Sequence, residues 1–285
     1  MTIAACYVCP EGVVLGADST ATFSASSSHG EGIYFDHTQK VLEVGENSSL
    51  GIVTAGLGGM RTLAYRTLVA RLADRFRTAH PKTVNDAAWQ WSSLVWAEYA
   101  ATFAAERQRF QELEIKGTAR TLEEENDLAA LRGLGAVFCL GGHCPPDRFP
   151  EAYEVWVTPG LTSPWTPVPI PIGTPKFWGW SNLLDRLHFG MDETIFQEIL
   201  RSGKWTGTQE ELVKIALSNR LTPAGWLPIR EAIDWVHASI YTTIKAMKFS
   251  RLEPVCGGPI EIAVITTDRR FRWVKHKGFD SALAS

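Results

Sequence analysis

The sequence predicts an α+β protein in which strands and helices occur in separate runs. Three observations carry this. Short segments rich in strand formers lie near both ends of the chain. Two long stretches with apolar residues at helical spacing lie between them. The order is strands, two helices, strands, helices, strands, which does not alternate as βαβ units do.

The elements follow in order. Residues 3–9 (IAACYVC) and 13–17 (VVLGA) flank the turn signal Pro10-Glu11-Gly12 and read as a hairpin. Asp18 falls at the end of the second strand. Residues 19–32 are small and polar and read as an exposed loop. Residues 40–44 (KVLEV) and 50–54 (LGIVT) give a second strand pair around Gly45-Glu46-Asn47. After the glycine-rich turn 55–59, a helix is expected over 60–79, with Leu63, Leu68, Val69, Leu72 and Phe76 on one stripe and Pro81 beyond its end. A second helix opens near Thr83, with Asp86 in its first turn. The charged stretch 105–132 reads as helical, and Thr121 with Glu124 fits a capping box inside it. Strands return at 135–140 and 152–157, and six prolines make 159–175 irregular. A strand end at 177–180 leads into helices at about 181–188, 192–202, 208–219 and 227–248. Strands at 260–266 and 271–274 close the chain. No repeat, linker or low-complexity tract divides it, so residues 1–285 read as one domain with helical insertions at about 105–132 and 189–226.

Composition narrows the function classes. The chain is 45% hydrophobic and 21% charged, which is ordinary globular composition. A net charge of -3 gives no electrostatic case for nucleic acid or for an anionic membrane. No apolar run approaches the ~20 residues that span a bilayer, and the N-terminus does not read as a signal peptide. Five cysteines without framework spacing suit free thiols in a reducing cytoplasm, so a cytoplasmic location is expected. Cys6 and Cys9 form a C-x-x-C, but three residues apart on a strand they point to opposite faces. They read as buried small hydrophobes, not as a metal or redox site. The seven histidines show no metal spacing either. No cofactor is implied.

The chemistry begins at Thr2. Once Met1 is removed, a free N-terminal threonine carries a hydroxyl and an α-amine on adjacent atoms. The amine, with an ordinary pKa near 8, suits the role of general base.

The segment from Thr2 to Asp18 (TIAACYVCPEGVVLGAD) resembles, without a gap, the start of mature proteasome β subunits and their bacterial relatives. Lys40-Val41-Leu42 resembles the family's lysine and the apolar residues after it. Thr54-Ala55-Gly56 resembles the turn that opens its first helix. Phe177-Trp178-Gly179 occupies the place of its strand into the third helix. Residues 257–266 (GGPIEIAVIT) resemble its late strand after a glycine-rich loop. The likeness covers roughly the first 80 residues and the last 60 of the chain. It implies a four-layer αββα sandwich of the N-terminal-nucleophile hydrolases, with two antiparallel sheets face to face and helices outside.

The resemblance also implies roles. Thr2 would be the nucleophile and its α-amine the base. Lys40 would place a cation beside the hydroxyl, Asp18 would hold Lys40, and the Gly56 N–H would form the oxyanion hole. An auxiliary group would be Ser181, although Trp180 follows Gly179 where the family has a Gly-Ser-Gly type of turn. Glu253 stands where the family has an aspartate, Cys256 where it has a serine, and Thr20 where it often has an arginine. The activity implied is peptide-bond hydrolysis in a homo-oligomeric ring, on peptide or unfolded protein, with an unfoldase partner unidentified. Two other readings stand beside it: a non-catalytic scaffold of the same fold, and an amidase for a small molecule. Trp89, Trp91 and Trp96 crowd one helix and cannot all face one core. At least one is expected at a subunit contact, with core packing as the alternative.

Overall fold

A computed structural model describes residues 2–23, 33–219, 221, 225–251 and 255–277. The chain starts with a tight hairpin of β1 (Ile3–Cys9) and β2 (Gly12–Ala17). In β1 every residue is buried, because its two faces meet different layers. Ala4, Cys6 and Val8 face the opposing sheet. Ile3, Ala5, Tyr7 and Cys9 face helices. Cys6 and Cys9 therefore do lie on opposite faces. A strand covered on both sides has no polar alternation, which is why IAACYVC is apolar throughout.

The polar stretch after Asp18 is not all loop. Ala21–Phe23 forms β3 and pairs antiparallel with β4 (Ile33–Phe35). Next come β5 (Val41–Glu43) and β6 (Leu50–Gly56). Helix α1 spans Tyr65–Thr78 and starts five residues later than its apolar stripe suggests. Met60 and Leu63 exchange backbone hydrogen bonds of 2.9 and 2.8 Å, and Arg61 has φ 51°, so a tight turn uses up the first residues of that stripe.

Helix α2 (Val84–Thr102) is capped by Thr83, whose hydroxyl accepts the Asp86 N–H at 3.0 Å. Helices α3 (Ala104–Lys116) and α4 (Leu122–Arg132) fold back on each other around Leu113, Leu128 and Leu131. The Thr121/Glu124 capping box opens α4. The strands β7 (Ala136–Gly142), β8 (Glu151–Val157), β9 (Val168–Pro169) and β10 (Lys176–Gly179) follow. Then come α5 (Asn182–Phe189), α6 (Glu193–Arg201), α7 (Gln209–Ser218) and α8 (Ile229–Phe249). The strands β11 (Glu261–Thr266) and β12 (Arg269–Lys275) end the described chain.

Two five-stranded antiparallel sheets result, in the orders β10-β1-β2-β11-β12 and β5-β6-β7-β8-β9. Their facing sides share one apolar cluster that includes Leu15, Val53, Val137 and Ala263. Helices α1 and α2 cover the outer side of the second sheet. Helix α8 covers the outer side of the first, so closely that a Cβ on Gly16 would lie 2.7 Å from Val236 Cγ1. The protein is thus an α+β sandwich with four layers in the order αββα.

The three tryptophans of α2 point three ways. Trp91 is fully buried and meets Phe138 edge to face at 5.1 Å. Trp96 is half-buried, stacks on Tyr99 and carries Arg107 over its ring. Trp89 is 40% exposed.

Candidate active site

The site is built at one end of the sandwich, around Asp18. The β1–β2 ladder sets Ala17 opposite Ala4, so the next residue comes level with Ile3. The Asp18 N–H donates to the Ile3 carbonyl at 3.1 Å, and the Ile3 N–H donates to Asp18 Oδ1 at 3.1 Å. Lys40 Nζ donates to the same Oδ1 at 2.7 Å. The N–H groups of Gly257 and Thr20 donate to Oδ2 at 3.0 and 3.3 Å. A carboxylate with four donors has little freedom left. Burial pushes the Asp18 carboxyl above its ordinary value, and the Lys40 ammonium with the Gly257 and Ile3 N–H groups pulls the other way.

Asp18 and Lys40 come from different sheets. Asp18 ends β2 in the first, and Lys40 precedes β5 in the second, where its carbonyl accepts the Thr54 N–H at 3.0 Å. The pair therefore bridges the two layers instead of meeting across one sheet. Lys40 Nζ also donates to the Thr20 carbonyl. Thr20 stands where the resemblance implied an arginine, and its hydroxyl donates to Asp36 Oδ1 at 2.8 Å.

Thr2 is one residue from this oxygen. The Ile3 N–H that binds Asp18 Oδ1 belongs to the Thr2–Ile3 peptide, so the Lys40 ammonium and the Thr2 backbone converge on one atom. Thr2 is buried, 4% exposed, and its carbonyl accepts the Trp180 N–H at 2.8 Å. Gly179 lies against that carbonyl with φ 87°, and a Cβ there would be 1.8 Å from the Thr2 oxygen. Only glycine fits this approach.

Gly56 closes β6 with φ 92°. Ladder parity decides where its N–H points. Leu57 N–H donates to Gly135 O and His143 N–H to Ser49 O, so the odd-numbered positions of β6 bond β7. The even-numbered positions turn the other way, as Thr54 does toward the Lys40 carbonyl. The Gly56 N–H therefore points to the Lys40 side, beyond the start of β5. A Cβ on Gly56 would lie 2.5 Å from the Gly135 carbonyl.

The auxiliary positions fall differently. Ser181 donates its hydroxyl to Asp185 Oδ2 at 2.8 Å, within the first turn of α5. Cys256 is buried behind Asp18, and burial with the Asp18 charge pushes its thiol up to about 12, with Lys40 opposing. Glu253 lies outside the described residues. Sequence reasoning missed the donors that lock Asp18, namely the N–H groups of Ile3, Thr20 and Gly257. Backbone donors carry no side-chain signature, although Gly257 sits in the glycine-rich loop already singled out.

No protein-family model matches the chain, and no curated protein matches it. Among solved structures it is similar to the Anbu (Gly-1) mutant from Hyphomicrobium sp. strain MC1. The identity is 10% and the TM-score 0.49, over 97% of this chain and 88% of that one. Among the described residues, no helix is long and apolar enough to cross a membrane.

Proposed function

We propose that the chain is a threonine-type peptidase that acts through Thr2 once Met1 has been removed. The observation that carries this reading is the single Asp18 oxygen that accepts both the Lys40 ammonium and the N–H next to Thr2. In this reading the Thr2 hydroxyl attacks the scissile carbonyl and gives its proton to its own α-amine. The Lys40 charge favours the developing alkoxide and keeps the amine neutral. The Gly56 N–H takes the oxyanion. The amine leaving group departs with the proton, and water then cleaves the ester with the α-amine again as base. Asp18 holds Lys40 and does not itself transfer a proton.

The whole chain, residues 1–285, is read as one such domain, with helical insertions at about 105–132 and 189–226. The substrate is a peptide or unfolded protein, the assembly a homo-oligomeric ring that encloses the sites, and the location the cytoplasm. A ring gives a general peptidase a closed chamber. The exposed Trp89 face of α2 is a candidate contact between subunits. Ser181 and Cys256 are supporting groups at most: Ser181 is engaged with Asp185, and the Cys256 thiol, buried next to Asp18, stays protonated. Glu253 keeps only the supporting role that the resemblance implies. Hydrolysis of a panel of N-acylated fluorogenic peptides tests the reading. Lys40→Ala is expected to reduce kcat/KM by at least about 100-fold with the fold intact, the size of a lost electrostatic stabiliser. Unchanged turnover in that variant removes Lys40 from the mechanism.

A further inference from the structure

The peptide between Thr2 and Ile3 is gripped at both edges. Its N–H donates to Asp18 Oδ1 at 3.1 Å, and its carbonyl accepts the Trp180 N–H at 2.8 Å. The first grip belongs to the Asp18–Lys40 pair. The second comes from the turn between β10 and α5, and the chemistry proposed above leaves open what holds that turn. The approach has no slack: Gly179 is the ladder partner of Ile3, and a Cβ on it would overlap the Thr2 carbonyl. The Trp180 ring packs on the apolar cluster that contains Ile3 and Leu184, which anchors its side chain. The backbone that follows needs another hold, and Asp185 supplies it. Asp185 Oδ2 accepts the Ser181 hydroxyl at 2.8 Å, and the Asp185 N–H donates to the Ser181 carbonyl at 2.9 Å. The Ser181 N–H donates to the Gly179 carbonyl at 3.0 Å, which closes the turn around Trp180. A serine ahead of a helix ordinarily accepts a first-turn N–H with its side chain. Ser181 makes no such cap, and its φ and ψ of -88° and -11° are already helical. Its hydroxyl proton goes to Asp185 instead. The plainer reading is an aspartate placed in the first turn for the helix dipole alone. The dipole needs neither a bond to Ser181 nor burial. Asp185 is half-buried, and that burial raises its carboxyl while the Ser181 bond pulls the other way.

We propose that Asp185 is a positioning residue for Thr2: its carboxylate holds the Ser181 hydroxyl, which fixes the 179–181 turn and keeps the Trp180 N–H on the Thr2 carbonyl. This rests on the catalytic reading above. Asp18 then sets one edge of the peptide that follows Thr2, and Asp185, acting through the turn, sets the other. With both edges set, that peptide plane is fixed, and the Thr2 Cα that carries the hydroxyl and the α-amine is fixed with it. Position matters at this scale, because a reacting group displaced by about 1 Å loses on the order of 100-fold in rate.

Asp185→Ala removes the acceptor for Ser181 and keeps the backbone bond. It is expected to reduce kcat for the fluorogenic peptides about 10-fold with KM unchanged. Asp185→Asn retains a side-chain oxygen that accepts the same proton and is expected to restore most of the rate. Ser181→Ala removes the donor and should cost as much as Asp185→Ala. The double variant should lose nothing more, since the two residues act as one link. Hydrogen exchange followed by NMR reads the turn without turnover. The Trp180 N–H is expected to exchange at least about 10-fold faster in Asp185→Ala and at the wild-type rate in Asp185→Asn. A lower melting temperature in Asp185→Ala, with kcat and Trp180 exchange unchanged, makes Asp185 merely structural and overturns the proposal. Additive losses in the double variant overturn it as well. If Asp185→Ala does not fold, Ser181→Ala serves alone, and unchanged Trp180 exchange in that variant is contrary. A wild-type protein that never acylates Thr2 would refute the catalytic reading, while Trp180 exchange would still decide whether Asp185 holds the Thr2 carbonyl.

Discussion

At the scale of single residues, burial of polar groups governs both the site and its surroundings. Asp18, fully buried, is held by four donors from four parts of the chain. Cys256, buried beside it, is a thiol at pH 7 and is expected to resist alkylation until the protein unfolds. The histidines give a pH prediction. Burial holds the imidazoles of His143 and His188 below their ordinary value of 6.5. Below that pH the unfolded chain takes up protons that the folded chain refuses. Stability is therefore present above pH 6.5 and lost as the pH falls toward the depressed folded values. Denaturant titrations at pH 7 and pH 5 check this. His188→Phe keeps the stack on Phe177, whose ring lies 5.3 Å away, and is expected to reduce the loss. An equal loss in that variant would show that His188 is not a source of it.

At the scale of elements, the order of the candidate site residues was legible and the geometry that brings Asp18 to Lys40 was not. The ungapped run from Thr2 to Asp18 is visible because a strand covered on both faces must be apolar throughout. Lys40 and Gly56 are visible from their order along the chain. Parity then fixes which way the Gly56 N–H points, and parity needs a register, which requires both partners of a ladder. The charged start of α4 was equally legible, since a capping box is local. Thr121→Ala is expected to cost about 1 kcal/mol, because it leaves the Glu124 N–H without its acceptor. A thermal melt that matches the wild type would mean that the α3–α4 hairpin contributes nothing to global stability. What stayed hidden was set by distant contacts. The pairing of β3 with β4 joins segments whose own composition looks like loop. The late start of α1 follows from a turn at Arg61 that interrupts an otherwise helical stripe.

At the scale of the whole molecule, the sandwich explains why the candidate site lies where it does. Two sheets packed face to face bring Asp18 from one layer to Lys40 from the other. The bridge is fully internal, so removing either partner leaves a buried charge uncompensated. Glu261 shows the limit of sequence reading at this scale. Nothing in the residues around it marks this acidic strand opener as internal, yet packing against the second sheet buries it completely. The central claim remains that Thr2 becomes a nucleophile once Met1 is gone. Intact-mass measurement before and after a threonine-directed electrophile tests it most directly. The account predicts a protein lacking Met1 that gains one adduct on Thr2, with no adduct in Lys40→Ala. A protein that keeps Met1 and gains no adduct would contradict it.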